Sequence, residues 1–315
     1  MSIFKEINLV NLHKYSIKER KSKVNVKDFG KVKSVELGTF MSSLPNILQA
    51  KEMNELLDKC VFAYQNDKPI IVALGGHVIK CGLSPFIIDL IEMGVIKGLA
   101  ANGSVTIHDF EIAMFGETSE DVATALEDGS FGMVRETCDG INTIIKNGAE
   151  NNLGYGEAIG KYLQKAEAPF NRYSLLANAY KNKVPFTIHV ALGTDINHQH
   201  ETANGAAIGD CSMRDFRIFC QNLTGLDEGG VFLNFGSAVV MPEVFLKAVT
   251  VVRNLGYPLN NFYTAVFDMN VHYRPRTNIV HRPTLSGGKG YYFVGHHEIM
   301  IPLFLLSLKE RIKNA

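Results

Sequence analysis

Pro69-Ile70-Ile71-Val72-Ala73-Leu74-Gly75-Gly76-His77 decides the fold. Pro69–Leu74 has the length and apolar character of a strand buried on both faces, and it breaks at once into glycine. The pattern recurs at Gly98–Ala101, Val184–Leu192, Gly230–Phe235, Phe262–Asp268 and Tyr291–Val294, all short and apolar. Helical patterns separate them, over 46–66, 83–95, 106–127, 137–149, 171–182, 211–223, 241–255 and 296–312. This alternation predicts an α/β fold with a mainly parallel sheet and helices on both faces.

The residues after the strands carry the functional signal. Gly75-Gly76-His77 follow the first and Asn102-Gly103-Ser104 the second. The third runs into Gly193-Thr194-Asp195, the fourth into Gly236-Ser237-Ala238, and the fifth ends at Asp268-Met269-Asn270. Ligands of open α/β sheets bind outside the carboxyl ends of the strands. One such end signifies a tight turn. Five together predict a rim where backbone amides and helix N-termini meet an anionic ligand such as a pyrophosphate.

The 315 residues suffice for a large core. Residues 1–45 read as an N-terminal arm, with a basic run at Lys18-Glu19-Arg20-Lys21-Ser22-Lys23, and 46–315 as one α/β domain. Lys+Arg and Asp+Glu number 32 each, a balance that gives no electrostatic reason to expect nucleic acid or an acidic membrane. A small molecule is the expected partner. Cys60, Cys81, Cys138, Cys211 and Cys220 are odd in number and lack a CxxC pair, as in a reduced cytoplasmic protein. No signal pattern or membrane-length apolar run is visible.

Several motifs fail on inspection. Gly154-Tyr155-Gly156-Glu157-Ala158-Ile159-Gly160 is one residue too long for a dinucleotide fingerprint and follows no strand, so it reads as a loop opening a helix. Gly288-Lys289 lacks the first glycine and the hydroxyl residue of a P-loop. Asp195-Ile196-Asn197-His198-Gln199-His200-Glu201 offers either divalent-metal ligands or a polar loop touching substrate or cofactor. His272-Tyr273-Arg274-Pro275-Arg276, with His281-Arg282, is either a solvated face or a grip on a carboxylate or phosphate. His296-His297-Glu298 reads as capping and packing of the last helix.

Arg282-Pro283-Thr284-Leu285-Ser286-Gly287-Gly288-Lys289-Gly290 sets one lysine among glycines. A lysine so placed, if desolvated, is a usable nucleophile for imine chemistry. Together these residues resemble the deoxyhypusine synthase family over roughly 69–305. Arg282-Pro283 followed by Ser286-Gly287-Gly288-Lys289 resembles the family's Arg-Pro and Ser-Trp-Gly-Lys segments, placing Lys289 on the catalytic lysine. Gly76-His77-Val78-Ile79-Lys80-Cys81-Gly82 resembles its early Ser-Asn cofactor segment. Ala101-Asn102-Gly103-Ser104, Thr194-Asp195 and Gly236-Ser237-Ala238-Val239-Val240 resemble its Thr-Ala-Gly-Gly, Thr-Asp-Gly and Gly-rich turns.

The resemblance implies a Rossmann-like fold, NAD as cofactor, a homotetramer with active sites between subunits, and transfer of an alkylamine through a lysine imine. It places the cofactor on Gly76, His77, Asn102, Gly103, Ser104, Thr194, Asp195, Gly236, Ser237 and Asp268. The departures are specific. Gly287 replaces the tryptophan, Pro242-Glu243 replaces a catalytic histidine pair, and His272 to Asn278 replaces the acidic run that grips a polyamine. Arginines in place of carboxylates would repel a polycation, so the expected substrate is a small amine other than spermidine, its anionic group held by Arg274, Arg276 or Arg282. His198 or His200 would take over proton transfer. The alternatives are orthodox deoxyhypusine or homospermidine synthesis, a non-catalytic NAD-binding oligomer, and metal chemistry at Asp195, His198 and His200.

Overall fold

In the computed structural model, which describes residues 37–315, six strands form one sheet in the order β3-β2-β1-β4-β5-β6, with every neighbouring pair parallel. The strands are β1 (Ile70–Leu74), β2 (Ile96–Asn102), β3 (Phe186–His189), β4 (Val231–Phe235), β5 (Phe262–Asp268) and β6 (Gly288–Val294). The chain steps outward from β1 to β3, crosses back to lay β4 beside β1, then steps outward the other way. Right-handed crossovers put the helices of two such halves on opposite faces. This is the doubly wound Rossmann-like order, as expected from the alternation of elements.

The helices are α1 (Leu37–Ser43), α2 (Leu48–Gln65), α3 (Gly76–Lys80), α4 (Ser84–Glu92), α5 (Gly103–Phe115), α6 (Val122–Asp128), α7 (Arg135–Glu150), α8 (Tyr155–Lys165), α9 (Leu175–Lys181), α10 (Gly205–Leu223), α11 (Val240–Asn254), α12 (Tyr273–Pro275) and α13 (His297–Lys313). One face of the sheet packs on α4, α5 and α7 to α9, and also on α2 and α13, which cover the half that the crossovers leave bare. The other face packs on α10, α11 and the helical stretch after β5. Phe267 of β5 joins these parts: its ring lies 5.2 Å from Phe235, 4.9 Å from Phe293 and 5.0 Å from Phe304. Each aromatic pair adds about 0.5–1.5 kcal/mol beyond burial, and together they fix α13 against the strand ends.

The basic run at 18–23 lies outside the described residues. Leu37–Ser43, within the stretch read as an arm, is helical and buries Met41. The helix expected over 106–127 is two helices. Gly116, at φ 78°, ends the first and Asp121 caps the second through Ala123 N–H. The expected strand 184–192 is only Phe186–His189. Residues 273–286, which hold most of the charge cluster noted after the fifth strand, form a helical crossover of α12, a π-helical turn (Arg276–His281) and a 3-10 turn (Pro283–Ser286).

The glycine run around Lys289 differs most in kind. Lys289 is inside β6, paired with Tyr263 at the amino end of β5, rather than in a loop before the strand. Gly287 and Gly288, at φ 105° and 85°, make the turn into the strand, where a side chain would be strained. Gly290 admits the backbone of Val280, whose carbonyl would overlap a β-carbon there. These glycines serve the packing of strand on crossover. Gly290→Ala is expected to destabilise the chain by at least about 2 kcal/mol, the scale of core overpacking. A urea midpoint equal to wild type would contradict this account.

Candidate functional site

In an all-parallel sheet every carboxyl end lies at one edge, so the rim expected from the sequence is a physical edge. Here Gly75-Gly76-His77, Asn102-Gly103-Ser104, Asp195, Gly236-Ser237 and Asp268 succeed one another along it. The backbone ladder continues past the strands: Gly75 N–H donates to Phe235 O (2.9 Å), Gly236 N–H to Phe267 O (3.0 Å) and Gly295 N–H to Asp268 O (3.0 Å). Gly75 sits so close to Gly236 that a β-carbon on it would overlap the Gly236 carbonyl. Gly236, at φ 67°, would put a β-carbon 2.8 Å from Cε1 of His297. These contacts fall between β1 and β4, where the winding direction reverses and ligands of this architecture bind.

Four buried polar atoms at this place lack hydrogen-bond partners. They are both ring nitrogens of His297, Oδ2 of Asp268 and Oδ1 of Asn234. The residues are 2 %, 5 % and 0 % exposed, so bulk solvent does not reach them. Native structures rarely leave such groups unpaired, and a cluster of them points to a missing ligand. The Phe267 carbonyl is near enough to His297 to favour its charged form, but their geometry is not that of a hydrogen bond, and that oxygen already accepts from Gly236. Burial holds the His297 ring below its ordinary pKa despite the opposing charge of Asp268. The ring of exposed His77 lies 5.6 Å away. Asn234 Nδ2 donates to Ser237 O (3.0 Å), which turns its oxygen the other way, and Ser237 Oγ accepts from Met241 N–H at the start of α11.

Other expected site residues have occupations of their own. Asp195 lies over the start of α5, where its carboxylate would overlap a β-carbon on Gly103, so Gly103 makes room for this side chain. Burial pushes Asp195 up to about 6. Ser104 Oγ donates to Asn102 Oδ1 (3.2 Å), and Thr194 Oγ1 to Ala191 O (2.7 Å). His198 Nδ1 accepts from the N–H groups of Gly193 (3.1 Å) and Asp195 (3.3 Å), leaving its only proton on Nε2, so the ring is unsuited to act as a base. His200 is held at both nitrogens, by Asp139 Oδ1 (3.2 Å) and Gly132 O (2.9 Å), and ties α7 to the loop before it. Among the described residues no three His, Cys, Asp or Glu side chains gather to hold a metal.

The arginines lie along the crossover after β5. Arg274 pairs with Glu243 (3.3 Å), Arg282 Nη1 donates to Asn278 Oδ1 (2.9 Å), and Arg276 is exposed. Lys289 lies at the amino edge of the sheet, with five residues of β6, Gly290 through Val294, between it and the rim. Its Nζ is 2.7 Å from Glu55 and 3.5 Å from Glu52. Partial burial favours the neutral amine, but the hydrogen bond and charge of Glu55, then of Glu52, outweigh it and the pKa is raised. Within one chain the lysine and the rim residues are not brought together.

His297 and Asn234 escaped the sequence reading. The signal for His297 was present: Gly295-His296-His297 follows the sixth strand as Gly75-Gly76-His77 follows the first. Asn234 carried none beyond being a polar residue inside an apolar strand. Cavities lie elsewhere too, about 570 Å³ between α8, α9 and the amino end of β3, about 700 Å³ between α5, α7 and α8, and about 800 Å³ between α7 and residues 201–205. Asp215, in the first, is satisfied by Gly156 N–H (3.0 Å) and Ile188 N–H (2.7 Å). The rim gathers four of the nine unsatisfied buried side-chain atoms of the described residues and is the stronger site. No helix among the described residues is long and apolar enough to cross a membrane.

No protein-family profile matches the chain, and no curated protein does. Solved structures share its fold. A candidate deoxyhypusine synthase from Entamoeba histolytica is 11 % identical with a TM-score of 0.52, over 87 % of this chain and 93 % of that one. ArgZ, a cyanobacterial arginine dihydrolase of the ornithine-ammonia cycle, is 16 % identical with a TM-score of 0.52, over 84 % of this chain and 33 % of ArgZ. AgrE, in a ternary complex with ornithine and NAD+, is 14 % identical with a TM-score of 0.50, over 84 % and 33 %. The chain thus spans about a third of the length of ArgZ and AgrE. At these identities the likeness establishes the fold.

The buried ring of His297 sets a pH dependence. Unfolded, it takes up a proton near its ordinary value of 6.5; folded, only at lower pH. Its contribution is complete above 6.5 and is lost as pH falls through the folded value. The urea midpoint of wild type should therefore drop further between pH 7.5 and 5 than that of His297→Gln. Equal drops would show that the ring is not held neutral.

Proposed function

We propose that the chain is an enzyme that binds a nicotinamide dinucleotide across the carboxyl edge of its sheet and oxidises a small amine-bearing substrate there. The observation that carries this reading is the coincidence, at the β1/β4 reversal, of a side-chain-free approach (Gly75 on Gly236) with four unpartnered buried polar atoms. Bound there, oxidised NAD supplies a two-electron acceptor for a substrate C–H.

The N-termini of α3, α5, α11 and α13 lie at the edge, α3 being a short helix and α13 opening with His297. That of α5 already has the carboxylate of Asp195 over it. The N-terminus of α11, with the loop Gly236–Val239, is left to hold the pyrophosphate through backbone N–H groups. Gly76, with Ser104 against it, and His77 would lie beside it. That fold is one in which AgrE has been seen with NAD+ and ornithine, which supports both the cofactor and an amine substrate.

Lysine-imine transfer receives no step within one chain. An amine attacks a carbon only when unprotonated, and the two glutamates hold Lys289 protonated at the other edge of the sheet. Borohydride added with NAD+ and a panel of amines should leave Lys289 unmodified. Modification of Lys289 would restore the transfer reading, with the lysine supplied by a neighbouring copy.

Calorimetric titration of the full chain with NAD+ tests the cofactor. Binding should appear, and at a hundredfold excess over Kd it should add about 2.7 kcal/mol to stability. Val239→Asp places an anion at the exposed start of α11, which a helix accepts but a pyrophosphate does not. It should weaken NAD+ at least tenfold with an unchanged melting temperature of the free protein. Absence of NAD+ binding by wild type would overturn the proposal.

A further inference from the structure

We infer that the substrate amine docks as an ammonium between the carboxylate of Asp268 and the ring of His297, and that His297 removes its proton. This rests on the dinucleotide reading and names the substrate group and the proton acceptor of that site. The chemistry of the unpartnered atoms carries it. Asp268 Oδ2 and Asn234 Oδ1 are acceptors without donors, and a neutral imidazole has one more acceptor nitrogen. A primary ammonium has three N–H donors and a positive charge; an alcohol offers one donor and none of the charge.

The two sides of the site approach the strand ends from opposite faces. Asn234 pairs with Val266, two residues before Asp268, so Asn234 and Asp268 point to the same side of the sheet. His297 comes from α13, which packs on the other face, and its ring feels the charge of Asp268. The glycine at 236, having no side chain, lets the imidazole pack against the backbone at the reversal point. The charged and titratable groups around the ring are Asp268 from β5, His77 from α3 and Glu298 from α13 itself; His272 lies 3.7 Å from the other oxygen of Asp268.

The proton step is simple. One ammonium N–H bond breaks, one N–H bond forms on the imidazole, and the pair left on the amine nitrogen is what loss of a neighbouring C–H hydride requires. The ring is kept neutral in the empty site even beside Asp268, so it has an acceptor nitrogen ready for the ammonium proton, and its low basicity speeds return of that proton to solvent. Asp268 is thus a binding residue and His297 the base.

The test uses the full chain with NAD+ present and three probes: butylamine, 1,4-diaminobutane and L-ornithine, with butan-1-ol as the uncharged control. At least one amine should bind by calorimetry and butan-1-ol should not. Asp268→Asn should weaken the amine at least tenfold. In protein carrying ¹⁵N-histidine, that amine should move the ring signals that His297→Gln removes. Failure of all three amines to bind, an unchanged affinity in Asp268→Asn, or an unmoved His297 signal each overturns the inference. NAD+ titrated alone is read separately, so loss of the cofactor and loss of the amine site are distinguished.

Discussion

Everything at the carboxyl edge depends on one backbone approach, Gly75 against the carbonyl of Gly236. A parallel sheet wound from the middle outward must reverse direction once, and the reversal leaves two neighbouring strands whose crossovers diverge to opposite faces. The gap so created is useful only if the two turns can close on it without side chains. Gly75 satisfies that on β1, and Gly236, in a left-handed conformation, satisfies it on β4. The consequence extends to β6. With no side chain at 236, the ring of His297 can enter over the strand ends, and the aromatic contacts of Phe267 with Phe235, Phe293 and Phe304 hold its helix there.

That constraint explains why unpaired polar groups gather here, while several other buried polar residues are satisfied. His189, at the end of β3, is buried too, but its ring meets the hydroxyl of Thr187 at 3.0 Å. Asp215 caps α8 and the end of β3 through backbone N–H groups, and Asp109 does the same for α9 with Ser174, Leu175 and Leu176. The chain has the means to satisfy buried polar side chains and uses them at these positions. Leaving Asn234, Asp268 and His297 partly unsatisfied at one spot costs on the order of 1–3 kcal/mol per group. A ligand that supplies the missing donors recovers that free energy as affinity.

Much of this was legible in the sequence. Short strands buried on both faces announce a parallel sheet, and glycine or small polar residues after each mark its carboxyl edge; both follow from local chemistry. The strand order, and with it the location of the reversal, depends on which segments pair, and no single segment encodes that. Lys289 shows the limit. A lysine between glycines looks like a mobile nucleophile, yet Gly287 and Gly288 are there for the turn, Gly290 for the carbonyl of Val280, and the lysine belongs to the strand they start. Its partners, Glu52 and Glu55, are more than 230 residues away in sequence, and residue 289 gives no hint of them. His200 likewise has a partner that residue 200 gives no hint of, Asp139 on a helix 61 residues earlier.

The two edges of the sheet therefore carry opposite electrostatics, and this bears on what the enzyme does with an amine. At the amino edge a cation is already present and neutralised: Lys289 is enclosed by Glu52 and Glu55, with Tyr291 beneath it at 4.7 Å. At the carboxyl edge the carboxylate of Asp268 has an oxygen with no cation of the chain against it, and the nearest imidazoles are those of His77, His272 and His297. A positively charged substrate is drawn to the second edge and finds no vacancy at the first. Arginines replacing the acidic run of the resembled family do not alter this balance, since Arg274 is spent on Glu243 and Arg282 on Asn278. Selectivity for an amine then comes from three acceptors lacking donors near the β1/β4 reversal, not from a cage of carboxylates. That arrangement favours one small ammonium group over a long polycation, whose further charges would meet no partner beyond Asp268.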